Sequence, residues 1–437
     1  MKTIAILSTK ISSFLLHLIH RGGSLPGSIG LKLCPAILNK LNIKCPVILV
    51  TGTNGKTSTS NMIAELFENA GHNVISNRKG DNLRAGITTT LLTNATITGN
   101  VKAEAIILEV DELNIPYIIT SLPVTALVVT NFFRDQLDRA REMEQLIVKI
   151  ETAIKDYDGT LVLNGNDPNV VRLRNAAPMA SVSYYGVNRC ESSTEDTKEA
   201  SEGKFCPSCG SKITYDFYQY SHIGNFHCTS CDFKTPELDT AGEVISIPNR
   251  TFRFDDMEFH APQGGLYTIY NCMAVVCIAH LFHIDAKYAK QTFNNVKVPE
   301  GRNETFTFHG QKCVLNLVKN PTGANEVMKV IEEDTGDKTI LIVLNDNAQD
   351  GTDISWIYDT FFEKLIKDST QHIICSGTRA YDMALRLKYG GYQKEIEIQE
   401  TLKNAVDALK NSKHTMYAIA TYTALQPVRS LLRREGQ

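Results

Sequence analysis

The stretch Pro46–Ser58, PVILVTGTNGKTS, constrains the fold more than any other: a short apolar strand, a loop with two glycines, and a helical pattern that runs to Ala70. A glycine loop between a strand and a helix turns several backbone N–H groups toward one point at the positive end of the helix dipole. That point suits a phosphate. Lys56 is placed to neutralise charge on the outer phosphates of a nucleotide, and the Thr57 hydroxyl to ligate magnesium. Gly52, Thr53, Asn54, Gly55, Lys56, Thr57 and Ser58 are therefore the candidate nucleotide-binding residues. The generic loop asks for a glycine where Val50 stands, so the broad motif is matched only in part. The bland alternative, a glycine-rich turn with an incidental lysine, fits the strand before and the helix after less well.

A strand–loop–helix unit belongs in an α/β domain. Apolar runs at 103–110, 124–130 and 160–164 alternate with helical stretches around 112–120 and 142–155, the rhythm of a mostly parallel sheet with crossover helices. β structure is expected over 241–260 and a largely buried helix over 266–283. A second α/β rhythm follows, with strands near 304–317, 338–345, 371–376 and 415–420. At roughly 150 residues per domain, 437 residues imply two to three domains. The boundary between the two α/β units is placed near Val298 to Arg302.

Apolar residues at 43% and charged residues at 21% allow real cores and argue against broad disorder. A net charge of −3 excludes a global electrostatic grip on nucleic acid or anionic lipid. Most of the 11 cysteines are scattered singly, which fits a reducing cytoplasm better than a secreted disulfide scaffold. Near the start, Lys10, His17 and His20 interrupt the apolar stretch, no clear cleavage site follows, and no run of about 18 apolar residues occurs anywhere. An amphipathic helix is predicted there. Phe14, Leu15, Leu16, Leu18 and Ile19 offer contacts to a membrane, but so short and weakly basic a helix is expected to pack them within the protein.

Residues 189–204 are polar and charged and read as a flexible entry into an insert. Within it, Cys206-Pro-Ser-Cys209 and Cys228-Thr-Ser-Cys231 form C-x2-C-x18-C-x2-C, a spacing that places four thiolates tetrahedrally around one zinc ion. Four sulfur ligands leave no open position, so the zinc is expected to be structural, stapling a module of ~30 residues too small for a hydrophobic core alone. His222 and His227 are then ordinary ribbon residues.

VTGTNGKTS resembles the ATP loop of the Mur ligases and folylpolyglutamate synthetases, and four later segments agree in order. Leu108-Glu109-Val110 ends a strand where such enzymes hold a magnesium ligand, and Thr130–Arg139 is similar to the family's TN…DHLD segment, with Gln136 where a metal-binding histidine is common. Tyr267, Tyr270 and Asn271 resemble the element bordering the adenine, and Gly301-Arg302-Asn303-Glu304 the hinge whose arginine reaches the nucleotide. Mur ligases usually carry a full N-terminal domain for a UDP-linked precursor, whereas about 45 residues precede this loop. The resemblance implies an N-terminal helical segment over 1–45, a Mur ligase-type ATP-binding domain over 46–300 with a zinc ribbon inserted at 203–236, and a smaller Rossmann-like α/β domain over 301–437.

In the second domain, NDNAQDGTDISWIYD follows a buried strand and concentrates carboxylates in one loop; on propensity alone, Asp353 or Ser355 would simply cap the next helix. Loop, ribbon and this segment together resemble the MurT-type synthetase subunits of lipid II isoglutaminyl synthases. The resemblance implies ATP-dependent amidation of the D-glutamate α-carboxylate of the lipid II stem peptide through an acyl phosphate, with ATP, magnesium and structural zinc, in peptidoglycan synthesis. Lys56 and Glu109 would serve that step, and Asp353, with Asp350 second, would complete the Cys–His pair of a separate GatD-type glutaminase. It implies a cytoplasmic protein, at most peripheral at the inner membrane face, and no nucleic-acid partner. Independently, none of the seven cysteines outside the ribbon stands in the G-x-C-x-G turn a glutaminase nucleophile needs, and Cys375 comes nearest. Two alternatives stay open: a ligase adding an amino acid to a precursor, and a zinc-ribbon nucleic-acid-binding ATPase, against which Glu202, Asp216, Asp232 and Glu237 in the insert argue.

Overall fold

The computed structural model describes residues 1–18, 23–78, 81–133, 143–197, 202–262, 264–296 and 301–435. The glycine-loop strand lies in the interior of a nine-stranded sheet. β1 (Val47–Thr51), β2 (Val74–Ser76), β3 (Ala105–Glu109), β4 (Ala126–Val129), β5 (Thr160–Asn164) and β6 (Ser181–Val187) are parallel, with β1 between β3 and β4. VILVT, AIILE and ALVV are buried along their whole length, which is why they read as continuous apolar runs rather than alternating ones. From β1 the sheet extends through β3 to the edge strand β2 on one side and through β4 and β5 to β6 on the other, the chain reversing direction where it passes from β3 across β1 to β4. Ligands of open α/β sheets bind beyond the carboxyl ends of the strands at such a reversal, and the glycine loop leaves β1 there. After a two-stranded hairpin, β7 (Ile213–Tyr220) and β8 (Ile223–Cys228), the sheet resumes with β9 (Thr240–Ser246), parallel to β6, and closes with antiparallel β10 (Thr251–Phe254) and β11 (Met257–His260).

A second sheet of six strands comprises β12 (Glu304–Phe308), β13 (Gln311–Leu317), β14 (Lys338–Val343), β15 (Thr370–Ser376), β16 (Ile396–Gln399) and β17 (Thr415–Ala420), in the order β12-β13-β17-β14-β15-β16. Only β12 is antiparallel, so the chain segments leaving β13, β14 and β17 gather at one edge. Helix Pro321–Glu333 packs its buried Ala324, Met328 and Ile331 under this sheet with Trp356, which is core rather than loop surface.

Helices Lys2–Leu18, Leu25–Leu33 and Arg84–Asn94 form a layer beside the first sheet, and Ala5, Ile6, Ile37 and Leu38 share the core of β1 and β3. Gly27 and Gly30 let these helices cross at backbone distance: a Cβ on Gly27 would lie 1.9 Å from the Ala85 carbonyl oxygen, and one on Gly30 2.5 Å from Thr9 Oγ1. That crossing accepts only the small face of the first helix, Ala5, Ile6 and Thr9. The expectation that its large apolar residues pack inward is therefore corrected: Phe14, Leu15 and Leu18 are exposed and Leu16 is half-buried, while Ile19 lies outside the described residues.

Candidate active site

Both glycines of the loop are left-handed, φ +121° at Gly52 and +87° at Gly55, and both are enclosed. A Cβ on Gly52 would meet Thr130 Oγ1 at 2.2 Å, and one on Gly55 would meet Asn271 Oδ1 at 2.3 Å. Residues after β4 hold the loop in shape. The Thr53 N–H donates to the Asn131 carbonyl (2.8 Å), the Asn54 N–H to Asn131 Oδ1 (2.9 Å), and Thr130 Oγ1 to the Asn54 carbonyl (2.8 Å). The Phe133 N–H donates to Thr53 Oγ1 (3.0 Å). Thr130 and Asn131 thus support the loop, while the rest of that segment, Arg134 to Arg139 with Gln136, lies outside the described residues.

Gly55 caps helix Lys56–Asn69, so Lys56, Thr57 and Ser58 form its first turn. The Lys56 ammonium is buried; it donates to the Gly52 carbonyl (2.5 Å), the Thr53 carbonyl (3.3 Å) and Glu112 Oε1 (2.8 Å). Burial pushes the Glu112 carboxyl up, against the opposing pull of Lys56. The sequence reading missed Glu112, although its position three residues after Glu109, beside Asp111, is a visible signal. Glu109, paired in register with Val50, is buried at the end of β3; its Oε1 accepts from Asn82 Nδ2 (2.8 Å), and Asn77 holds its backbone N–H and carbonyl at 2.9 and 2.8 Å.

The second sheet closes the site from the other side. Asn320 Nδ2 donates to Asn54 Oδ1 (3.2 Å), while Asn320 Oδ1 caps helix Pro321–Glu333 through the Gly323 N–H (2.8 Å). One cavity is lined by Asn54, Gly55, Asn271, Arg302, Lys319 and Asn320, bringing two of the predicted loop residues together with the predicted helix and hinge residues, while Lys56, Thr57, Ser58 and Glu109 do not line it. Lys319 and Asn320 were not predicted; Asn-Pro at a strand-to-helix passage is the signal that could have found them. Two buried donors of residues lining this cavity, Asn54 Nδ2 and Asn316 Nδ2, have no partner among the described residues. Enclosed glycines, a lysine and unsatisfied donors fit a polyphosphate nucleotide.

In the ribbon, the four Sγ atoms lie within 4.8 Å of one another, with Cys206–Cys231 at 3.5 Å and Cys209–Cys228 at 3.4 Å. Four ligands at ~2.3 Å from zinc would sit roughly 3.8 Å apart, so this donor set fits the ion. Gly210 at φ +75° makes the turn after the first pair; within the cluster, bonds from Ser211 hold the Cys209 thiol down to about 6, while, against the Phe233 backbone bond, burial and the neighbouring thiols push Cys231 up to about 12. His222 is no ordinary ribbon residue. At the hairpin turn it is fully buried, with Nε2 3.3 Å from Asp167 Oδ1 and Nδ1 3.2 Å from Glu202 Oε2, and it packs on Phe133. Burial alone would lower it, but the Asp167 and Glu202 charges prevail and lift it to about 10. The cation joins the ribbon to the loop after β5.

The acidic loop after β14 divides its carboxylates among different tasks. Asp346 accepts from Thr378 Oγ1 (2.7 Å) and pairs with Arg379 (2.6 Å). Asp350 is buried, accepting from the Thr423 N–H (2.7 Å) and Oγ1 (2.5 Å) at the start of helix Tyr422–Glu435. Asp353 is half-buried; one oxygen accepts from the Ser355 N–H (2.8 Å) in a local turn rather than as the expected helix cap, since Ile354 holds the N-cap position of the short helix Ser355–Tyr358, and the other has no partner among the described residues. Of the thiols outside the ribbon, Cys34, Cys272, Cys277, Cys313 and Cys375 are buried, and burial pushes Cys313 and Cys375 up to about 12. No helix among the described residues is long and apolar enough to cross a membrane.

The family model of the Mur ligase middle domain matches residues 50–279, and that of the MurT ligase C-terminal region matches 317–425. The chain is 34% identical over 418 residues to the Staphylococcus aureus lipid II isoglutaminyl synthase (glutamine-hydrolyzing) subunit MurT, covering 95% of this chain and 93% of that one. The subunit of the same name from Streptococcus pneumoniae is 34% identical over 439 residues, covering 98% and 96%. Among solved structures, a pseudomurein peptide ligase from Methanothermus fervidus matches with a TM-score of 0.69 at 21% identity, covering 91% of this chain and 80% of that one. A folylpolyglutamate synthase from Thermotoga maritima matches with a TM-score of 0.59 at 14% identity, covering 96% of each chain. These two share the fold. The chain belongs to the MurT family of Mur-type ligases.

Proposed function

We propose that this chain is the synthetase subunit of a lipid II isoglutaminyl synthase, amidating the α-carboxylate of D-glutamate in the lipid II stem peptide with ammonia from a separate GatD-type glutaminase. The observation that carries the reading is the single cavity shared by Asn54, Gly55, Asn271, Arg302, Lys319 and Asn320 beneath an acceptor-closed lysine loop. The substrate carboxylate attacks the γ-phosphorus of ATP, ADP leaves, and an acyl phosphate forms. Ammonia then adds to the acyl carbon, loses a proton, and expels phosphate. Backbone N–H groups of Gly55–Ser58, at the start of the helix, hold the phosphates, Lys56 offsets their charge, and Asn271 and Arg302 hold the rest of the nucleotide. Thr57 and Glu109 would ligate magnesium, which supplies charge neutralisation on the transferring phosphoryl group. The four ribbon cysteines would hold zinc as a closed structural site.

Ammonia must come from outside, because every thiol beyond the ribbon is buried or half-buried and none sits in a nucleophile turn. Asp353 is the carboxylate available to a partner's histidine, since Thr423 occupies both oxygens of Asp350. The test incubates purified chain, lipid II and Mg-ATP with ammonium, then with glutamine with and without the glutaminase, and follows the mass change of exchanging OH for NH2. Ammonium alone should suffice, whereas glutamine should need the partner. Product from glutamine without a partner defeats the two-subunit reading.

A further inference from the structure

The helix Lys2–Leu18 carries its apolar stripe on the wrong side for a core helix. Ile4, Leu7, Ile11, Phe14, Leu15 and Leu18 recur at helical spacing, and all are exposed, Phe14 and Leu18 by 64% and 63%. The buried residues of the helix, Ala5, Ile6 and Thr9, lie on the opposite face, against helix Leu25–Leu33. A soluble surface rarely presents so continuous an apolar row without a partner for it. Charge indicates the partner. The first 44 residues hold six Lys or Arg and no Asp or Glu, in a chain whose net charge is −3. The helix is also firmly mounted: Lys10 Nζ donates to the Thr93 carbonyl (2.6 Å) in helix Arg84–Asn94, which begins two residues after Asn82, the partner of Glu109.

We infer that this helix is an interfacial anchor whose exposed stripe inserts into an anionic lipid surface, with the basic N-terminal segment around it drawn to the headgroups. An apolar row within a segment that carries cations and no carboxylate is the pattern of a helix lying in the membrane interface. The inference rests on the proposed function for its purpose, since a lipid-linked substrate must be met at its bilayer, but vesicle binding is read without any substrate.

The full zinc-loaded chain is mixed with vesicles of phosphatidylcholine alone or with phosphatidylglycerol, and the bound fraction is measured by flotation. Binding is expected to the anionic vesicles, weakening as salt rises. The double variant Phe14→Glu/Leu18→Glu, with unchanged circular dichroism because both sites are exposed, should bind on the order of 10-fold more weakly or worse. The same variant should keep ammonium-dependent amidation of detergent-solubilised lipid II. Wild-type protein that ignores anionic vesicles, or a variant that binds them equally, overturns the inference. So does a dimer, or a glutaminase complex, that the two substitutions dissolve while vesicle binding is absent. Loss of amidation in wild type that still floats with vesicles would instead count against the proposed function.

Discussion

Replacing His222 by glutamine removes a cation from between two buried carboxylates, and the cost follows from its titration. The ring titrates at 6.5 when unfolded and at about 10 in the fold, because Asp167 and Glu202 outweigh its burial. Its folded value is raised, so its contribution is full below pH 6.5 and is lost as pH climbs through about 10. At neutral pH that amounts to roughly 4 kcal/mol, the size expected for breaking a buried ion pair from one side. The ribbon is the unit that should loosen. Hydrogen exchange of the β7 and β8 amides in zinc-saturated protein, corrected for intrinsic rates, reports the free energy of local opening at each pH. His222→Gln should lower that energy by about 4 kcal/mol near neutrality, and the gap should close as pH approaches about 10. A gap that stays constant with pH would show that His222 is held neutral and that the clamp is not ionic.

Gly55→Ala forces a left-handed residue, costing ~1–2 kcal/mol, and drives its methyl into Asn271. Calorimetry should show Mg-ATP affinity at least about tenfold lower, and an unchanged Kd contradicts the enclosed-loop account. Chelation should release one zinc per chain and strip exchange protection from β7 and β8 while β1 and β3 stay protected; unaltered β7 and β8 would mean the cysteines hold no structural ion. Asp353→Asn should lose glutamine-driven turnover but keep most ammonium-driven turnover, whereas Lys56→Ala should lose both. Equal loss in Asp353→Asn with either nitrogen source moves that residue into the synthetase site.

Legibility followed sequence distance. The glycine loop, the buried strands around it and the paired cysteines are local patterns, and the loop's left-handed glycines could be expected from the tight turn alone. What the sequence could not display were partnerships across the chain. Lys56 meets Glu112, Asn54 meets Asn320, and His222 meets Asp167, each pair far apart in sequence. Asp350 and Asp353 share one loop and look equivalent until Thr423, from a different strand–helix passage, claims the first. β6 (SVSYYGV) and β16 (IEIQ) lack continuous apolar runs and become strands because β5 and β15 offer them edges. The first helix reads as amphipathic, and amphipathicity normally points inward; only the glycine-lined crossing shows why its small face won.

In the proposed reaction the loop at Lys56 directs the γ-phosphoryl group of ATP onto the stem-peptide carboxylate. The decisive measurement uses lipid II whose D-glutamate α-carboxylate is labelled with heavy oxygen at both positions, with Mg-ATP and ammonium and the purified zinc-loaded chain. An acyl phosphate requires one labelled oxygen per turnover to leave on inorganic phosphate. Amide product accompanied by unlabelled phosphate would contradict the account.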